Sequence, residues 1–255
     1  MKNGAPRFVW YELVTTDPEA AAGFYRTVLG WEAKPFEASP VPYLVLEAAG
    51  QGVAGIMALP EEAQAGGMPP GWLGYVGVPD VDAATEALRG AGGSVHKPPQ
   101  DIPSVGRFSV VADPQGAVFM LFTPASADGP KPNGGMPAVA WHELHSTDWQ
   151  KAFDFYAGQF GWAKHEAMDM GPMGTYQIFG EQGGEAMGGM MTNPMMPRPH
   201  WLFYASVDDI DAAQKRLTDQ GGAVLHGPQP VPGEAWIIQA RDPQGAMFAI
   251  VGPRA

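Results

Sequence analysis

Residues 141–162 read WHELHSTDWQKAFDFYAGQFGW, and the fold turns on whether the first six form a helix or a strand. On a helix His142 and His145 would share one face; on a strand they point to opposite faces. The same pattern occurs earlier in the chain. WYELVTTDPEAAAGFYRTVLGW (10–31) aligns with it without a gap at an offset of 131, and Trp, Glu, Leu, Thr, Asp, Ala, Phe, Tyr, Gly and Trp recur in place. In the earlier copy Asp17 stands before Pro18, an N-cap followed by a proline at the first helical position. Gly30 ends that helix. Asp148 occupies the place of Asp17, so WHELHS precedes the helix and is a strand. Trp141, Glu143 and His145 then face one side, His142 and Leu144 the other.

The repetition extends further. WLGYVGV (72–78) matches WLFYASV (201–207), and DPQGAVF (113–119) matches DPQGAMF (242–248), both at an offset of 129. The chain is therefore a tandem duplication: a first module over 1–126, a Pro- and Gly-rich linker over 127–137, and a second module over 138–255. In the first module, strands are predicted at 8–14, 31–36, 43–47 and 52–58, with a helix after Asp17. A Gly/Pro-rich loop covers 60–71. Then come a strand at 74–78, a helix from Asp80 to Arg89, and strands at 94–96, 107–112 and 117–123, the last two joined by the DPQG turn. Each module holds strand-helix-strand-strand-strand twice, and the whole chain holds it four times. The expected class is α+β.

Composition narrows the function. Fifteen Lys and Arg against 27 Asp and Glu give a net charge of −12, which disfavours nucleic acid and anionic membranes as partners. There is no cysteine, so disulfides, thiolate metal sites and cysteine nucleophiles are excluded. No stretch approaches 18 uninterrupted apolar residues, and MKNGAPRFVWYEL lacks the apolar run of a signal peptide. A soluble cytoplasmic protein is the expectation. Neither a phosphate-binding G-x-x-x-x-G-K loop nor a G-x-S-x-G elbow occurs.

Phe24-Tyr25 and Phe155-Tyr156 in the helices, Gly30-Trp31 and Gly161-Trp162 after them, and the D-P-x-G-x-x-F turns at Asp113 and Asp242 give the chain a resemblance. It resembles the vicinal oxygen chelate superfamily, the glyoxalase, bleomycin-resistance and extradiol-dioxygenase group, over nearly its full length, twice. The resemblance implies four βαβββ units paired into two modules whose curved mixed sheets enclose cups for a small ligand or a metal. Metal-using members place a His or Gln where this chain has Trp10 and Trp141. A second ligand falls at Tyr75 and Tyr204, and a third, usually Glu, at Met120 and Ala249. A further acid on the fourth strand has no counterpart in GVAGIM (52–57) or AMGGMM (186–191). Indole and phenol are poor ligands for a divalent ion, so no metal and no cofactor is expected.

What remains is a set of polar groups among rings. Glu12 and Glu143 recur two residues past the lost ligand position; each is a general base, a polar anchor for a ligand, or a structural carboxylate. His145 shares that face in the second module only and is an acid–base partner for Glu143 or a satisfied histidine near the rim. His200 opens the strand that carries Tyr204. Glu143, His145 and His200 together would make an off-pattern metal site of the two-His, one-carboxylate kind. Trp10, Trp141, Tyr75, Tyr204 and Met120 line a pocket for a flat apolar ligand in the functional reading, while Trp72 and Trp201 belong to the core. The methionine-rich stretches of the second module suit an adaptable apolar pocket, and 60–71 and 192–199 are candidate lids.

The expected function is metal-independent binding of a small apolar or aromatic molecule. The first alternative is a hydroxylase- or isomerase-like enzyme using Glu143 and His145 for proton transfer. The second is a metal-dependent glyoxalase or dioxygenase with rearranged ligands. The expected partner is a small molecule, and the pairing of two modules in one chain is compatible with a monomer or a dimer.

Overall fold

A computed structural model describes residues 5–126, 138–196 and 198–254. The predicted linker 127–137 lies outside the described residues. The first quarter of the chain forms β1 (Phe8–Thr15), α1 (Pro18–Leu29), β2 (Glu32–Pro35), β3 (Tyr43–Ala48) and β4 (Gln51–Ala58). After a short helix α2 (Glu61–Ala65), the second quarter forms β5 (Gly71–Gly77), α3 (Val81–Gly90), β6 (Ser94–Ile102), β7 (Gly106–Ala112) and β8 (Val118–Pro124). The third forms β9 (Val139–Ser146), α4 (Trp149–Phe160), β10 (Ala163–Asp169), β11 (Thr175–Gly180) and β12 (Ala186–Thr192). The fourth forms β13 (His200–Ser206), α5 (Ile210–Asp219), β14 (Ala223–Val231), β15 (Ala235–Arg241) and β16 (Met247–Gly252). The fourfold βαβββ pattern expected from sequence is present.

Local chemistry sets the boundaries. The Asp17 and Asp148 side chains accept from Ala20 N and Lys151 N, capping α1 and α4, and Asp80 and Asp209 do the same for α3 and α5. Gly30 and Gly161 close α1 and α4 in the left-handed region, at φ 73° and 69°, where a Cβ would be strained.

The strands form two eight-stranded mixed sheets, in the orders β2-β3-β4-β1-β5-β8-β7-β6 and β10-β11-β12-β9-β13-β16-β15-β14. β1 pairs in parallel with β4, β5 with β8, β9 with β12 and β13 with β16. The remaining pairs with a described register are antiparallel.

Two differences from expectation have simple causes. The strand predicted at 94–96 runs on to Ile102 through Pro98 and Pro99, because β6 is an edge strand, where a missing N–H costs no ladder bond. The Gly/Pro-rich loop 60–71 contains the helical turn α2, formed by EEAQA, five residues too short to show an apolar period.

The chain divides into two compact units that do not follow the repeat. One takes residues 5–10, 74–126 and 141–202; the other takes 11–73, 138–140 and 203–254. Each unit thus draws on both sequence modules. In the first, Tyr156 of α4 is fully buried, stacks on Trp162 at 5.4 Å and meets Trp201 edge-on. Trp201 Nε1 donates to Tyr156 Oη (3.0 Å), which donates to Asp113 Oδ2 (3.1 Å). In the second, Trp72 Nε1 donates to Tyr25 Oη (2.9 Å), which donates to Asp242 Oδ2 (3.0 Å). The helical Phe-Tyr and the D-P-x-G turn are therefore two ends of one buried bond, made twice, each time between opposite halves of the sequence. Of the two tryptophans expected in the core, Trp201 is buried and Trp72 half-buried, and each donates to its tyrosine.

Candidate functional site

The site is built on β9 in the first unit. β9 is a strand through WHELHS, so its alternation separates the two histidines. His142 turns away from Glu143: its ring stacks on Phe8 at 4.6 Å, and Nδ1 lies 2.6 Å from Met187 O. Since a carbonyl only accepts, that nitrogen carries the proton. Burial, opposed by this bond, pushes the His142 pKa down to about 4, and the ring is a neutral packing element.

On the other side, Trp141, Glu143 and His145 point together. Glu143 stands opposite Gly189 of β12, and Tyr176 of β11 stands opposite Met191. A methyl group on Gly189 would collide with the Tyr176 ring. The missing side chain is what lets the phenol lie across β12 and reach Glu143. Tyr176 Oη donates to Glu143 Oε2 at 3.0 Å and accepts from Trp141 Nε1 at 2.7 Å. His145 Nε2 lies 2.7 Å from Glu143 Oε1. Asn193 Nδ2 lies 2.9 Å from His145 Nδ1, and Asn193 Oδ1 accepts from Met195 N at 3.0 Å. That second bond fixes the amide orientation, so Asn193 donates to Nδ1 and the proton of the neutral His145 ring sits on Nε2, the nitrogen nearer the carboxylate.

Glu143 and His145 are 6% and 4% exposed. A carboxylate so desolvated is tolerated only with donors or positive charge close to it; Tyr176 supplies a donor, and His145 Nε2 lies within ion-pair distance. Burial, and then the Glu143 charge, raise the Tyr176 pKa well above the ordinary phenol value, so the hydroxyl stays a donor. His200 completes the cluster. Its ring stacks on His145 at 4.9 Å and 11°, and its Nδ1 lies 3.1 Å from Arg198 O. Burial, then the neighbouring His145, lower its pKa. Its Nε2 is buried and has no hydrogen-bond partner among the described residues. Leaving such an atom unpaired costs about 1–3 kcal/mol.

The other unit repeats part of this. Glu12, 6% exposed, stands opposite Gly55, where a methyl would collide with Tyr43. The Glu–Gly–Tyr arrangement is thus duplicated. The places of His145, Asn193 and His200 are held by Val14, Leu59 and Gly71, none of which offers a polar side chain.

Of the residues singled out from sequence, Trp141, Glu143, His145 and His200 come together. Tyr75 and Met120 are buried cross-strand partners on the first sheet. Tyr204 is buried in the other unit, where its Oη accepts from Gln239 Nε2 at 2.8 Å. Trp10 is half-buried on β1. Tyr176 and Asn193 were not singled out. Their signals are faint: Tyr43 and Tyr176 recur at an offset of 133, as Gly55 and Gly189 do at 134.

The family resemblance implies a divalent metal, and the residues present do not fit one. Indole, phenol, thioether and methyl groups stand at its positions, at Trp10, Trp141, Tyr75, Tyr204, Met120 and Ala249. In the off-pattern set, His145 Nδ1 is taken by Asn193, and its Nε2 lies 2.7 Å from Glu143 Oε1, too close for an ion to sit between them. Among the described residues no group of three or more His, Cys, Asp or Glu is disposed to hold an ion. No helix among them is long and apolar enough to cross a membrane.

Known proteins agree with this architecture. The model of the Glyoxalase/Bleomycin resistance protein/Dioxygenase superfamily matches residues 7–121 and again 138–250. "Putative glyoxylase CFP32" of Mycobacterium tuberculosis is 33% identical over 258 residues, covering 99% of this chain and 96% of its own. Anthracycline biosynthesis protein DnrV of Streptomyces peucetius is 31% identical over 261 residues, covering 97% and 93%. The crystal structure of the Mn(II)-bound glyoxalase from Novosphingobium aromaticivorans superposes with a TM-score of 0.65 at 18% identity, over 98% of this chain and 82% of that one. The last shares the fold; the model matches and the two relatives settle the family. The chain belongs to the Glyoxalase/Bleomycin resistance protein/Dioxygenase superfamily, with two family modules in tandem.

Proposed function

We propose that this protein holds a small apolar or aromatic molecule without a metal, and that Glu143 is the polar anchor for it. The observation that carries the reading is the buried Glu143 carboxylate, held by the Tyr176 donor beside His145, on the strand face it shares with Trp141 and with Met191 of β12. A fixed acceptor within aromatic and thioether surroundings suits a ligand with a flat apolar body and a few polar groups. The likeness to DnrV, named for anthracycline biosynthesis, supports an aromatic ligand.

Glu143→Gln tests this. The amide keeps the shape but sets an N–H against the His145 donor or the Tyr176 donor. Titration of the fluorescent probe 2-naphthol is expected to show binding weakened by about tenfold, the scale of one charge-assisted hydrogen bond. Unchanged affinity would overturn the anchor. A stoichiometric divalent ion on the purified protein, lost in the same variant, would overturn metal independence.

A second reading has its own observation. Glu143 Oε1 and His145 Nε2 lie 2.7 Å apart, close enough for a proton to pass between them once a substrate realigns the pair. If Glu143→Gln retains affinity for a substrate that the wild type converts and loses turnover, the hydroxylase- or isomerase-like reading takes over.

A further inference from the structure

Two buried imidazole nitrogens of the cluster make no hydrogen bond among the described residues, His145 Nε2 and His200 Nε2; the first lies 2.7 Å from the Glu143 carboxylate, which leaves His200 Nε2 as the atom open to a ligand. His200 Nδ1 faces the Arg198 carbonyl at 3.1 Å. A carbonyl cannot donate, so the proton of the neutral ring is on Nδ1 and Nε2 carries a bare lone pair. That lone pair is buried without a partner among the described residues. A flip of the ring would forfeit the Arg198 bond, and any smaller rotation would break the 11° stack on His145. Protonation is no remedy: the ring is desolvated and lies against a second imidazole. The other polar side chains of the cluster lie against one another: Trp141 donates to Tyr176, Tyr176 to Glu143 and Asn193 to His145 Nδ1, while His145 Nε2, without a hydrogen bond among the described residues, lies 2.7 Å from the Glu143 carboxylate.

We infer that His200 Nε2 accepts a hydrogen bond from the ligand, and that the ligand is therefore a hydroxyl-bearing aromatic, a phenol or enol, rather than an aromatic with acceptors alone. A ligand carbonyl or ether oxygen would place lone pair against lone pair at this atom, whereas an O–H fits it. His200 is thus a specificity-determining residue, distinct from the Glu143 anchor. The inference rests on the ligand-binding reading of the Glu143 site.

Three probes of one skeleton separate the possibilities: 2-naphthol, naphthalene and 2-methoxynaphthalene, titrated against the full chain. The wild type is expected to bind 2-naphthol about tenfold tighter than either of the others, as sites built to pair a hydroxyl do. In His200→Phe, which keeps a flat ring against His145, the preference is expected to fall below about twofold through loss of 2-naphthol affinity. Imidazole ¹⁵N spectra of the wild type give a measurement free of any variant. The His200 Nε2 resonance is expected to be that of an unprotonated nitrogen, and to shift with 2-naphthol but not with 2-methoxynaphthalene. Equal affinity for the three probes, or a preference that survives in His200→Phe, would overturn the inference and leave the ligand-binding reading standing. Failure of all three to bind would overturn both.

Discussion

His142 and His145 show how one residue's position in a pleat decides its chemistry. Three residues apart on β9, they enter different environments, one against Phe8 and one against Glu143. His142 is neutral in the folded protein because burial lowers its pKa from 6.5 to about 4. The sign follows from proton uptake: between those two values the unfolded chain binds the proton and the folded chain does not. The contribution to stability is therefore full above about pH 6.5, falls as pH drops, and levels off below about pH 4. At pH 5 the loss is about 2 kcal/mol, an upper figure because His142 keeps part of its surface exposed. His142→Phe retains a ring for Phe8 and removes the titration. Urea unfolding at pH 8 and pH 5 is expected to show the variant losing less stability than the wild type over that interval; identical losses would rule out His142 as the source.

At the scale of elements, the Trp–Tyr–Asp chains tie a helix to a turn in each unit. Tyr156→Phe removes the acceptor of Trp201 Nε1 and a donor to Asp113 in a fully buried setting. A loss of about 1–3 kcal/mol is expected by denaturant unfolding. Tyr25→Phe makes the same cut, but Trp72 is only half-buried and water can replace its partner, so the cost is expected to be smaller. Equal costs would mean that the bonds to Asp113 and Asp242, rather than the indole bonds, dominate. These elements were legible because their signals are local: Asp caps, glycine stops and the DPQG turns each act within a few residues. The purpose of the Phe-Tyr and D-P-x-G motifs was not legible, since their bond joins residues 43 apart in one unit and 217 apart in the other. The short helix α2 and the proline-bearing end of β6 were missed for the opposite reason: their local signals point away from regular structure.

At the scale of the whole molecule, duplication explains both what the sequence showed and what it hid. Two copies of one pattern made the strand at WHELHS certain and exposed Glu12 and Glu143 as equivalents. Tyr176 and Asn193 stayed hidden because their bonds to Glu143 and His145 span 33 and 48 residues and because comparing the copies favours what both retain, whereas Asn193 is present in one alone. The copies have diverged at the atoms that would recognise a ligand. Both units keep a buried Glu beside a glycine slot and a tyrosine, so that part of the pattern serves the fold as well as a ligand. Only one unit adds His145, Asn193 and His200; the other has Val14, Leu59 and Gly71. If recognition depends on the imidazole pair, one chain has one tight site despite its two modules. Calorimetric titration with 2-naphthol is accordingly expected to give one molecule bound per chain, with affinity reduced by Glu143→Gln and changed less than about twofold by Glu12→Gln. Two sites of equal affinity, or equal sensitivity to the two substitutions, would show that the shared Glu–Gly–Tyr arrangement is sufficient and that the divergence at Val14 and His145 carries no functional weight.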